Sequence, residues 1–145
     1  MSLLTNEMHE IIEEFLIFED WEDRYSYIID LGKKLEPLDK KYKIDCNMVV
    51  GCASQVWLIS YKDNSDKYFF VADSDAYIVK GLIAILLRVF SGKTTEEIQN
   101  IDIEDFFLSL GLKQHLSPNR SNGFFAMVNK IKGYVAVCGV VAIEI

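Results

Sequence analysis

Two β-rich runs, QVWLISY at 55–61 and YFFVA at 68–72, flank the polar cluster KDNSDK, and a long apolar segment follows from Tyr77 to Phe90. β-Branched and aromatic residues favour strands, and two such runs about a turn cluster read as a hairpin. After the hairpin the period changes. Ile78, Val79, Leu82, Ile83, Leu86, Val89 and Phe90 recur at helical spacing, and Gly92 can end the helix. This helix is apolar nearly all round, so the rest of the chain must cover it on every side. Any fold of this sequence is thus built around one buried helix laid against a hairpin.

The flanking segments supply that cover. Residues 6–18 read as an amphipathic helix, with Met8, Ile11, Ile12, Phe15 and Leu16 on one face and four glutamates on the other. Asp20 can cap a second helix carrying Tyr25, Ile28, Ile29 and Leu31, with Gly32 suited to its C′ position. KKLEPLDKKYKID at 33–45 reads as a polar connector with one helical turn, and MVV at 48–50 as a short β-rich piece. Thr94 and Glu97 form a capping-box pattern. Asp102 can cap another helix, which Gly111 can stop, and Ser117-Pro118 marks a further helix start. Phe124, Phe125, Met127, Val128 and Ile131 suit that last helix, whereas propensity beyond Gly133 predicts a strand. No repeat or linker interrupts residues 1–145, so the sequence predicts a single α+β domain.

Charge and cysteine usage narrow the functional classes. The 15 basic and 22 acidic residues leave a net charge of −7, which opposes phosphate-backbone binding and docking on anionic membrane. GLIAILL before Arg88 and GYVAVCGVVAI near the end are too short to span a bilayer. The first residues lack the basic start of a signal peptide. The expectation is a cytoplasmic protein with no nucleic-acid or membrane partner, whose thiols Cys46, Cys52 and Cys138 stay reduced.

Cys52 is the most suggestive candidate for chemistry. It lies between Gly51 and Ala53 at a break between β-rich runs, where small neighbours permit close approach of another molecule. A reactive thiol there wants a local cation or donor, because an unperturbed cysteine is only slightly ionised at neutral pH. Free cysteine is among the most buried residue types, so spacing alone favours inert core packing for Cys52. A metal site from Cys46, Cys52, Cys138 and a histidine lacks the usual short ligand spacings. A Cys52–His115 pair would suit a hydrolase, although His115 also reads as a structural histidine. His9 reads as a surface residue. Asp73-Ser74-Asp75 reads as capping of the apolar helix, Lys80 as a snorkelling lysine, and Arg120 with Asn122 as an anion site or a solvated surface.

Three blocks together carry a family resemblance. VVGCASQVWL at 49–58, DSDAYIVKGLIAIL at 73–86 and QHLSPNRSNGF at 114–124 resemble the SufE family of sulfur-acceptor proteins, which includes the CsdE proteins. WEDRYSYIIDLGKKL at 21–35 is similar to another stretch of that family, and the resemblance spans residues 5–132. It implies an α+β fold, a small antiparallel sheet with helices packed on it, similar to the IscU scaffold proteins.

The function implied is acceptance of persulfide sulfur on Cys52 from a cysteine desulfurase of the SufS or CsdA kind. Stimulation of that enzyme and delivery to an Fe–S scaffold complex follow. The resemblance implies no resident cofactor or metal, the pyridoxal phosphate being the partner's. It also implies that the chain is not a stand-alone enzyme. Gly51, Ala53, Ser54, Gln55, Asp75, Lys80, His115 and Arg120 match family positions and are expected to shape the loop or the partner surface rather than transfer protons.

Two departures stand out. The tail VAVCGVVAIEI replaces the family's Ala-rich polar helix, and Cys46 is an added thiol, either resolving or incidental. The alternative function is a metal or Fe–S scaffold, which would need Cys46 or Cys138 beside Cys52.

Overall fold

The hairpin and the apolar helix are the centre of the molecule in the computed structural model, which describes residues 4–136. Helices α1 (Asn6–Leu16) and α2 (Trp21–Lys33) lead into a connector with 3-10 turns at Lys40–Tyr42 and Asp45–Asn47. Strands β1 (Val56–Lys62) and β2 (Tyr68–Ser74) follow, then α3 (Tyr77–Phe90), α4 (Thr95–Gln99), α5 (Ile103–Ser109), α6 (Leu112–His115) and α7 (Pro118–Ala136). This is an α+β fold with one antiparallel two-stranded sheet among the described residues.

The register runs from Val56 opposite Ser74 to Lys62 opposite Tyr68. Asp63 settles the turn: its Oδ1 accepts the N–H groups of Ser65 at 2.8 Å and Lys67 at 3.0 Å. Asparagine and aspartate side chains stabilise turns in this way. The predicted MVV piece is a single bridge, Met48 opposite Trp57, with the Val49 N–H donating to the Val56 carbonyl at 2.8 Å.

α3 buries most of its surface, but not all of it: Tyr77 is exposed, and Ala84, Leu87 and Arg88 are half-buried along one face. Val79, Leu82, Ile83, Ile85, Leu86, Val89 and Phe90 are buried with Ile28 of α2, Leu58 and Phe70 of the sheet, and Phe124, Met127 and Ile131 of α7. α1 adds Met8, Ile11 and Phe15. The Arg88 guanidinium grips Glu14 at 2.7 and 2.8 Å and draws its carboxyl below the usual range. Tyr27 donates to the same carboxylate, and burial together with that contact pushes its hydroxyl up to about 12.

Four expectations are corrected by packing. Gly32 is not at C′ but inside α2, because its missing Cβ admits α3: a Cβ there would stand 2.5 Å from the Tyr77 carbonyl oxygen. Residues 134–136 are helical, not a strand. Val135 is buried and Tyr134 donates to the Leu58 carbonyl at 2.8 Å, so tertiary contact overrides β-propensity.

Asp73-Ser74-Asp75 does not cap α3, whose N-cap is Ala76. Lys80 does not simply snorkel, since it reaches Asp73 at 3.5 Å. The capping readings at Asp20, Asp102 and the Thr94–Glu97 box are observed. The tail beyond residue 136, with Cys138, lies outside the described residues.

Candidate functional site

The loop between the Met48 bridge and β1 carries Cys52. Its first half is Val50, 91% exposed, followed by Gly51 at φ +102°, a backbone state that side-chain-bearing residues rarely adopt. A Cβ on Gly51 would also stand 3.3 Å from Ala126 of α7. The loop closes on two backbone anchors. One is Val49–Val56; the other is the Gln55 N–H donating to Asp75 Oδ1 at 3.1 Å, with the Asp75 N–H returning to the Gln55 carbonyl at 3.3 Å. Asp75 and Gln55 thus fasten the loop's C-terminal end to the head of α3.

Between these anchors Cys52 turns inward and is half-buried. Its thiol donates to the Gly123 carbonyl at 3.6 Å. Gly123 sits within α7, where a Cβ would lie 3.3 Å from Sγ. The thiol opens on a cavity of ≈ 240 Å³ lined by Ala53, Ser54, Val79, Leu82, Ser117, Asn119, Arg120, Gly123, Phe124 and Met127. The wall on the α3 side is aliphatic. The opposite wall is mixed, since Ser117, just before α7, and Asn119 and Arg120 of its first turn line the same space.

Burial favours the neutral thiol and pushes Cys52 above its ordinary value. At neutral pH the resting group is therefore a protected thiol. Cys46 is exposed, its thiol 3.8 Å from the side-chain oxygen of Asn47. Iodoacetamide under native conditions is accordingly expected to label Cys46 before Cys52. The raised Cys52 value lowers its thiolate fraction at any given pH, so its labelling rate keeps climbing beyond the ordinary thiol range of about 8.5. Peptide mass spectrometry across a pH series reads both rates, and urea should bring them together.

Asp73 organises the ground beneath the loop. It is 2% exposed and faces Trp57 across the hairpin. Burial raises its carboxyl, but the Ser74 N–H at 2.8 Å, the Lys43 ammonium at 3.1 Å and the Leu38 N–H at 3.3 Å outweigh that and hold it below the usual carboxylate range. Lys43 also lies over the Trp57 ring at 5.3 Å. The connector is thereby strapped to the strand that carries the loop's second anchor.

The structure brings Cys52, Ala53, Ser54 and Arg120 around one cavity, with Gly51 at the loop's left-handed turn and Gln55–Asp75 at the base. It separates the other two expected residues from the thiol. Lys80 faces Asp73, and His115 stacks on Trp21 with ring centroids 4.0 Å apart, outside the cavity lining. A Cys–His hydrolase pair is thus not formed. Among the described residues no three His, Cys, Asp or Glu side chains converge as metal ligands.

Sequence reading missed Gly123 and Lys43, and gave Asp73 only a capping role. For Gly123 a signal existed: a glycine inside a helical pattern costs about 1 kcal/mol relative to alanine, which hints at a packing reason. The pairing of Asp73 with Lys43 left no such mark, because it joins residues 30 apart in the chain through tertiary folding alone.

Comparison with known proteins follows the same lines. A family model described as "SufE: Fe-S metabolism associated domain" matches residues 9–135. An uncharacterized SufE-like protein of Rhizobium meliloti (strain 1021) is 45% identical over 128 residues, 86% of this chain and 91% of that one. Another, from Rhizobium etli, is 43% identical over 133 residues, 90% of each. The solution structure of a hypothetical protein from Thermus thermophilus superposes with a TM-score of 0.75 at 17% identity, covering 92% of this chain and 96% of that one, and so has the same fold. Among the described residues no helix is long and apolar enough to cross a membrane.

Proposed function

Since the chain belongs to the SufE family, associated with Fe–S metabolism, we propose that it accepts sulfur on Cys52 from a cysteine desulfurase and passes it on for Fe–S cluster assembly. The observation that carries this reading is the inward-turned Cys52 thiol, set on a loop that turns at Gly51 beside a cavity whose α3 wall is aliphatic.

The chemistry is an exchange at sulfur. The desulfurase holds a persulfide on its own cysteine after removing sulfur from L-cysteine, using a pyridoxal phosphate that this chain does not carry. Cys52, ionised on leaving its buried setting, attacks the outer persulfide sulfur. The S–S bond on the partner breaks and the partner's thiolate departs. Cys52 then carries the persulfide, and the desulfurase is free to turn over again.

Two demands pull against one another. The persulfide must be shielded from bulk reductant, which Val79, Leu82, Phe124 and Met127 do. It must also reach the partner's active site. Rotation at Gly51, with release of the weak Cys52–Gly123 contact, answers the second demand at small cost, since that contact is only 3.6 Å sulfur-to-oxygen. The hinged loop therefore cycles between a protected and a presented state. The exposed Val50 beside it offers an apolar contact to the partner.

The test mixes the protein with a cysteine desulfurase and L-cysteine in the absence of reductant. The expected result is a gain of one sulfur atom on the peptide that carries Cys52, with faster desulfurase turnover. No gain with several desulfurases, while Cys52 remains alkylatable in urea, would overturn the reading.

A further inference from the structure

The cavity beside Cys52 is larger than one transferred sulfur requires. Its ≈ 240 Å³ is several times the about 30 Å³ that one water molecule occupies in the liquid, so a small organic molecule has room beside the sulfur.

The lining says what chemistry such a molecule should have. Val79, Leu82, Phe124 and Met127 accept a short apolar stem with its sulfurs. Ser117, Asn119 and Arg120 are polar and lie at the start of α7, Ser117 just before it.

Of the three arginines, Arg24 donates to the carbonyls of Phe15 and Phe18, and Arg88 grips Glu14. The Arg120 guanidinium has no ion-pair partner among the described residues. Its fork is suited to a carboxylate. The positive end of the 19-residue helix α7 favours the same charge.

We propose that this cavity binds small carboxylate-bearing hydropersulfides, and that Cys52 takes sulfur from them directly, without a desulfurase. The proposal rests on the reading of Cys52 as a sulfur-accepting thiol and adds a second class of donor to it. In the step, the Cys52 sulfur bonds to the outer sulfur of the donor R–S–SH. The donor's S–S bond breaks, and the proton lost by Cys52 goes to the leaving thiolate, giving R–SH and Cys52 persulfide. No oxidant or reductant is consumed. Arg120 holds the carboxylate of R, so that the outer sulfur is presented to Sγ rather than to solvent.

Cys46 is a built-in control, being the more exposed thiol on the same chain. The protein is incubated anaerobically with cysteine hydropersulfide or its methyl ester, and sulfur on each cysteine peptide is followed by mass spectrometry. Cys52 is expected to load faster than Cys46. The ester is expected to load Cys52 about tenfold more slowly, as loss of a charge-assisted hydrogen bond implies. Arg120→Gln should bring the two donors' rates together, and Arg120→Lys should keep part of the preference.

Loading of Cys46 as fast as Cys52, or equal rates for acid and ester on the wild-type chain, would overturn the proposal. A parallel sample with desulfurase and L-cysteine separates the two readings. Sulfur on Cys52 there but not from cysteine hydropersulfide refutes the small-donor route alone. The reverse pattern refutes the desulfurase reading and upholds this one.

Discussion

Cys52→Ser is expected to take up no sulfur from a desulfurase and to leave that enzyme's turnover at its unassisted rate. The loss should be complete rather than partial. Exchange at a persulfide needs a polarizable sulfur nucleophile whose thiolate is accessible near neutral pH, and a serine hydroxyl is neither. The substitution is mild for the fold. A hydroxyl can donate to the Gly123 carbonyl as the thiol does, and Cys52 is only half-buried, so a change within about 1 kcal/mol is expected.

Urea denaturation and intact-mass measurement on the same samples separate chemistry from folding. If Cys52→Ser still acquires sulfur, now on Cys46, the acceptor has been misassigned. If it still accelerates the desulfurase without acquiring sulfur, the chain is an adaptor rather than a carrier.

The second large effect concerns stability. Gly81→Ala is expected to destabilise the protein by about 3 kcal/mol or more. A Cβ on Gly81 would overlap the carbonyl oxygen of Ile28 and stand 2.5 Å from Ile28 Cγ2. The clash is with backbone, so no rotamer change relieves it and α2 must move off α3. Against this, alanine gains about 1 kcal/mol over glycine in a helix interior. The clash wins. For a chain of this size the melting temperature should fall by roughly 10 °C.

Gly133→Ala is the matched control, because the residue sits in α7 and nothing lies within 4 Å of the place its new methyl group would take. There the propensity gain stands alone, and a rise of up to about 1 kcal/mol is expected. Thermal melts of the two variants check opposite signs of one substitution. A Gly81→Ala protein as stable as wild type would mean that α2 and α3 do not meet at these glycines.

Much of the architecture was legible because it rests on local chemistry. The hairpin, the apolar helix from Tyr77 to Phe90 and the caps at Asp20, Thr94 and Asp102 depend on residues within a few positions of each other. The family blocks were legible for a related reason, since each is a contiguous segment that carries its own turn and its own chemistry.

What failed to show locally was the second half of each contact. Asp73 looks like a helix cap until Lys43 and the Leu38 N–H are brought to it. Gly32 looks like a helix terminator until Gly81 approaches it. Residues 134–136 look like a strand until Tyr134 meets Leu58.

The site divides in the same way. That Cys52 sits on a small-residue loop beside Gly51, in a chain of net charge −7, is determined by the sequence itself. That the thiol is half-buried, held neutral and faced by Gly123, and that Arg120 shares its cavity while His115 does not, only the tertiary structure decides. Burial, and hence the ionisation of a thiol, is set by atoms from α3 and α7 that lie far from Cys52 in sequence, and no local pattern around residue 52 encodes where they come to rest.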